Sequence, residues 1–131
     1  MAETTQQKAL IRWFRANYPQ LSLNLFSIPN GANFSAAAPA KRFGQINKLK
    51  AEGMQKGVPD LFLAFPCNGF AGLFIELKDE GKTLCSLSKE QADYLELLND
   101  CGYCAVWAAG FDIAKAAIET YLTGITKPTI Q

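Results

Sequence analysis

Lys56-Gly57-Val58-Pro59-Asp60-Leu61 and, further along, Gly72-Leu73-Phe74-Ile75-Glu76-Leu77-Lys78 decide how this chain is read. The second stretch is apolar except for its acid and its lysine, and its spacing predicts a strand. Successive side chains on a strand point to opposite faces, so Glu76 and Lys78 share one face and Leu77 points away. An acid after a proline, then an acid and a lysine on one strand face, suits magnesium-dependent phosphodiester cleavage. Mg²⁺ takes oxygen ligands, often one or two carboxylates, and keeps waters for phosphate and nucleophile. Asp60 and Glu76 can supply the carboxylates. Lys78 beside them can position or deprotonate the attacking water, or neutralise charge in the transition state.

The rest of the composition narrows the alternatives. With 131 residues, 49% of them apolar, the chain reads as one domain spanning 1–131. No apolar run reaches the roughly 18 residues of a membrane span, and Met1 to Gln7 lacks the basic and apolar regions of a secretory signal. A cytoplasmic protein with no membrane partner is expected. There is no histidine, which excludes imidazole metal sites and Ser-His-Asp chemistry and leaves lysine, carboxylate, tyrosine or cysteine as bases. Cys101-Gly102-Tyr103-Cys104 has the spacing of a redox pair. It falls where a helix ends and a strand begins, the reverse of a thioredoxin-like order, so free thiols are expected for all four cysteines, Cys67 and Cys85 included.

The net charge is +1, but charge is segregated. From Lys41 to Lys56, just upstream of Asp60, Lys41, Arg42, Lys48, Lys50 and Lys56 stand against Glu52 alone, while acids dominate from Glu76 to Asp100. The basic segment could track DNA phosphates; a solvated helix face explains it equally well.

Outward from the two strands, the pattern predicts α-β-α-β-β-α-β-α. A helix is expected over 4–17, with Leu10, Trp13 and Phe14 inward, then a strand over 21–28. Pro29-Asn30-Gly31 reads as a turn, 32–39 as a loop, and 41–51 as a basic helix. Strands follow at 61–65 and 73–78, joined at Asn68-Gly69, a hairpin signal. Ser88 with Gln91 has capping-box spacing and opens a helix whose core face is Tyr94, Leu95, Leu97 and Leu98. A strand over 103–108 and a helix capped by Asp112 complete the order. Trp13, Trp107 and Phe111 read as core, and Phe34 and Phe43 as aromatics better placed to touch DNA.

Pro59-Asp60 and Glu76-Leu77-Lys78 match, in order and spacing, the signature of the PD-(D/E)xK nuclease superfamily. With Ile28 to Gly31, Glu52-Gly53, Lys56 to Leu61, Gly72 to Lys78, Ser88 to Gln91 and Gly102-Tyr103, the chain resembles the VRR-NUC (virus-type replication-repair nuclease) branch from about Glu3 to about Leu122. The resemblance implies an α/β, restriction-endonuclease-like mixed sheet flanked by helices, and Mg²⁺ or Mn²⁺ on Asp60, Glu76 and the Leu77 carbonyl. It implies further that Gln91 lies near the metal, that Glu3, on one helical face with Gln6, completes its shell, and that Asn30 sits close to the active centre against DNA. Stand-alone members look like branched-DNA endonucleases, Holliday-junction resolvases among them. That implies a homodimer in a bacterial or phage-infected cell. The alternative is a DNA-structure-binding module of the same fold with little or no catalysis.

Overall fold

A computed structural model of the chain describes residues 3–29 and 39–124. Asn30, Phe34 and residues 32–38 of the loop expected over 32–39 lie outside the described residues; Pro39 instead begins the second helix. Glu3 begins the first helix, and Lys41 and Arg42 lie in the second; their side chains are also outside the description.

The order is α1 (Glu3–Asn17), β1 (Leu25–Ser27), α2 (Pro39–Ala51), β2 (Leu61–Leu63), β3 (Leu73–Lys78), α3 (Lys89–Asp100), β4 (Cys104–Ala109) and α4 (Phe111–Tyr121). The four strands form one sheet in the order β1-β2-β3-β4. β1 and β2, and β2 and β3, pair antiparallel; β3 and β4 pair parallel through α3. A parallel neighbour requires a crossover, and α3 supplies it. The sheet is therefore mixed and flanked by helices, as the sequence implied.

Period-two alternation on β3 separates two faces. Leu73, Ile75 and Leu77 are buried in the main core with Leu61 and Leu63 of β2, Leu10 and Phe14 of α1, and Ile118 of α4. Phe74, Glu76 and Lys78 point to the opposite face, where α3 packs against β4. The hairpin between β2 and β3 turns at Asn68 (φ 51°) and Gly69 (φ 86°), the pair of positive φ values that an Asn-Gly two-residue turn favours. The Asn68 amide donates to the Tyr121 and Thr123 carbonyls at 2.8 and 3.2 Å, so the turn also satisfies the end of α4.

Three expectations are corrected. Residues 21–24 belong to a 3-10 helix, Pro19–Asn24, rather than to a strand. Pro19 sets the first helical φ, and the amide of Leu21 donates to Tyr18 at 2.9 Å. Leu21 is buried while Leu23 is 91% exposed, so the apolar alternation did not track one face. Leu97 is 52% exposed on α3; Leu95 alone of that helix is buried. Asp112 lies inside the first turn of α4, whose cap position is Gly110 without a side-chain cap of its own. The donor is satisfied from outside: buried Gln6 of α1 accepts the Phe111 amide at 3.1 Å.

One side chain pairs with the outer edge of β4. Asn99 of α3 donates to the Ala105 carbonyl and accepts from the Ala105 amide, both at 2.9 Å. Among the described residues no helix is long and apolar enough to cross a membrane.

Phe14 is fully buried between helix and sheet, whereas Leu23 projects into solvent. Phe14→Ala is expected to cost about 3–5 kcal/mol, and Leu23→Ala to stay within about 0.5 kcal/mol of the parent. Urea unfolding followed by circular dichroism checks both values.

Candidate active site

The pairing of β2 with β3 brings the two acids together. Leu61 stands opposite Ile75; one residue on, the antiparallel register sets Asp60 opposite Glu76, on one face. Pro59 immediately precedes that acid and is buried. The Leu77 amide donates to Asp60 Oδ2 at 2.8 Å, which fixes that carboxylate at the end of the hairpin ladder. The amide and carbonyl of a strand residue face the same edge, so the Leu77 carbonyl points toward Asp60 too. On the other side, the Asp60 carbonyl accepts from Ile28 at 2.8 Å, which continues the β1 pairing.

Glu76 is 2% exposed, at the centre of an apolar strand. Burying a carboxylate costs several kcal/mol unless charge or hydrogen bonds compensate it. Gln91 provides part of that compensation: its Nε2 donates to Glu76 Oε2 at 3.3 Å. Its Oε1 accepts from Lys78 Nζ and from the Ser88 amide, each at 2.9 Å. The Ser88 hydroxyl in turn accepts from the Gln91 amide, completing the capping box. Helix cap and site residue are one group, since the geometry of the α3 N-terminus aims the amide between the acid and the lysine.

The approach of α3 depends on a glycine. Gly57 has φ 92°, and a Cβ there would stand 2.6 Å from the backbone carbon and oxygen of Glu90, the residue before Gln91. Lys56 pairs with Glu90 across the same contact at 3.7 Å. The Glu90 carboxyl is held below its usual range by a backbone amide at the helix start and by the Lys56 ammonium. Thus the loop that delivers Asp60 is seated on the turn that delivers Gln91. Lys56 is engaged in this contact, while Lys48 and Lys50 are exposed on the last turn of α2.

The structure gathers Asp60, Glu76, Leu77, Lys78 and Gln91 at one place. Of Glu3 only the backbone is described, one helical turn before Gln6. Sequence reasoning missed the use of Gln6 as a cap, because a contact with α4 over 105 positions leaves no local pattern. It also missed Asp79, directly after Lys78, whose Oδ1 is buried without a hydrogen-bond partner.

The donor set fits a hard divalent cation: two carboxylates on one face, one of them buried, with a carbonyl beside them. Such a site needs no third acid from the protein, since Mg²⁺ retains water and takes phosphate oxygens. Among the described residues no group of three or more acids, cysteines or histidines is clustered. All four cysteines are free, and burial pushes the Cys104 thiol above its ordinary range, against the thiolate that redox exchange uses.

The comparisons with known proteins bear on the family and the fold. A sequence model of the VRR-NUC domain matches residues 1–112. The chain is similar to a solved structure of a VRR-NUC domain protein at 25% identity and a TM-score of 0.77, over 94% of this chain and 89% of that one. No curated protein matches the chain.

Gly57→Ala must meet both a positive φ and the Glu90 backbone. It is expected to destabilise the fold by at least about 2 kcal/mol, whereas Gly53→Ala, with φ 113° but open space around it, loses only the conformational part. Denaturant midpoints of the two variants test the difference.

Proposed function

This chain belongs to the VRR-NUC family, and from that premise we propose that it is a Mg²⁺- or Mn²⁺-dependent DNA endonuclease that hydrolyses phosphodiester bonds at Asp60, Glu76 and Lys78. Membership brings a nuclease-type fold. The observation that carries the catalytic reading is the buried Glu76, set opposite Asp60 and joined through Gln91 to Lys78.

Asp60, Glu76 and the Leu77 carbonyl would hold the cation. When bound, it would supply Lewis acidity toward a phosphate oxygen and lower the pKa of a water. Lys78, on the face of Glu76 and held by Gln91, orients the attacking water and offsets charge developing on phosphate. Gln91 keeps the ammonium and the carboxylate at fixed separation instead of letting them collapse into a closed ion pair. Attack in line with the leaving 3′ oxygen gives 5′-phosphate products. Lys48 and Lys50, with Lys41, Arg42, Lys56 and Asn30, are the proposed DNA contacts.

The proposed substrate is branched DNA, four-way junctions included, cut by a homodimer. A chain of 131 residues with net charge +1 offers little basic surface; two copies about a two-fold axis double it and set two sites across a junction. A panel of labelled linear, forked, flapped and four-way DNAs, incubated with Mg²⁺ or Mn²⁺, tests this. Equal cutting of all of them by a monomer would exclude the junction reading.

Asp60→Asn and Glu76→Gln preserve side-chain volume and remove charge. Each is expected to abolish cleavage while leaving folding and DNA binding largely intact; wild-type rates from either would refute the site. Lys78→Ala is expected to slow cleavage about 10²–10⁴-fold, with metal affinity by calorimetry unchanged or raised. Loss of metal binding in that variant would make the lysine a structural partner instead.

Cys101→Ser combined with Cys104→Ser is expected to retain nearly full cleavage rates. An unfolded or inactive double variant would revive a role for the thiols.

A further inference from the structure

The sheet face that carries Asp60 and Glu76 also carries a row of aromatic rings. Phe26 of β1, Phe62 of β2 and Phe74 of β3 stand directly across from one another in register. Phe62 and Phe74 stack with centroids 4.2 Å apart and planes 22° apart. Phe26 meets Phe62 edge-on at 5.7 Å, and Tyr103 meets Phe74 and Phe62 edge-on at 5.2 and 6.0 Å. Gly72 makes room for the row, since a Cβ there would lie 2.6 Å from a Phe62 ring carbon. Phe26, on the edge strand, is 45% exposed; the other three rings are partly buried.

The row is one step from the acids. Asp60 and Glu76 lie two residues along β2 and β3 from Phe62 and Phe74, on the same face, about 6–7 Å away at 3.3 Å per residue; Phe26, one strand further out, lies about 8 Å from Asp60 and about 12 Å from Glu76 at about 4.8 Å per strand. One nucleotide spans such a distance from phosphate to base. Nothing in the aromatic row is charged, so it suits the π-face of a base and not a phosphate. A base in intact duplex is already paired and stacked; an unpaired one is free to lie on an aromatic ring, whatever its identity.

We propose that this row is a stacking platform for an unpaired base beside the scissile phosphate, with Phe26 as the ring the base meets. The inference rests on the nuclease reading above and deepens it: the platform selects DNA with a displaced or single-stranded nucleotide at the cut, without reading its sequence. A second copy of the chain is the weaker occupant. A subunit seated on the row would also cover the acids one step away and close the site to DNA.

The test uses forked DNA carrying 2-aminopurine, in turn, at each nucleotide around the fork point, bound to the full chain with Ca²⁺. Stacking on an aromatic ring quenches that fluorophore. Quenching is expected at one position, kept in Phe26→Trp and lost in Phe26→Leu, which retains an apolar side chain of similar reach. In Mg²⁺ or Mn²⁺, Phe26→Leu should cut the fork about tenfold more slowly, and an abasic nucleotide at the quenched position should slow the wild type but not the variant. Cleavage without quenching at any position, or equal quenching in Phe26→Leu, would overturn the platform. So would conversion of a dimer to a monomer by Phe26→Leu in sedimentation, which would make the row a subunit contact. Phe26-dependent quenching with no cleavage in either metal would support the platform and refute the nuclease reading.

Discussion

A carboxylate buried in the middle of an apolar strand is the constraint around which this molecule is built. Glu76 cannot be moved by one position along β3, because a slip of one residue would carry it into the Leu10, Phe14 and Ile118 core and bring Ile75 and Leu77 out. The register of both strand pairs, and the position of α3, follow from keeping that acid on its face. The register of β2 against β3 sets Asp60 opposite it, and the crossover through α3 delivers Gln91 to it. A local rule is broken at this residue, and the breakage is offset by neighbours drawn from two other elements. That is the pattern expected of a functional position.

Much of this was legible in the sequence because its determinants are short-range. The alternation over 73–78 gave the strand with its bounds, the Asn-Gly pair gave the hairpin, and Ser88 with Gln91 gave the cap of α3. The same short patterns singled out Asp60, Glu76 and Lys78, while the Leu77 carbonyl and the site role of Gln91 entered through the family resemblance. The cap also proved inseparable from the site: the amide oxygen that accepts from the Ser88 amide accepts from Lys78 as well.

What escaped the sequence depended on partners distant in the chain. The leucine alternation over 21–25 suggested a strand, but Pro19 and the turn bonds behind it favoured a 3-10 segment, and no strand lay opposite Leu23 to reward the extended form. The start of α4 read as capped by Asp112 because a local acid is the usual solution, whereas an amide from α1 fills the role. The fit of Gly57 against Glu90 was equally hidden: a glycine before Val-Pro-Asp reads as a turn, and its need for space appears only when α3 is packed on it. The aromatic row escaped for the same reason, since Phe26, Phe62 and Phe74 are far apart in sequence and meet only through register.

The bidentate grip of Asn99 on Ala105 reaches beyond local bonding. A sheet grows when a free ladder of donors and acceptors meets another strand, and that is also how folded proteins seed fibrils. Here one amide imitates a neighbouring strand at the margin of β4, and the opposite margin, β1, is only three residues long. Among the described residues, both margins of the sheet thus offer a foreign strand a shortened ladder. Self-association is thereby steered away from sheet extension and toward side-chain surfaces, and the apolar centre of the fold can remain β-rich without becoming a template for aggregation.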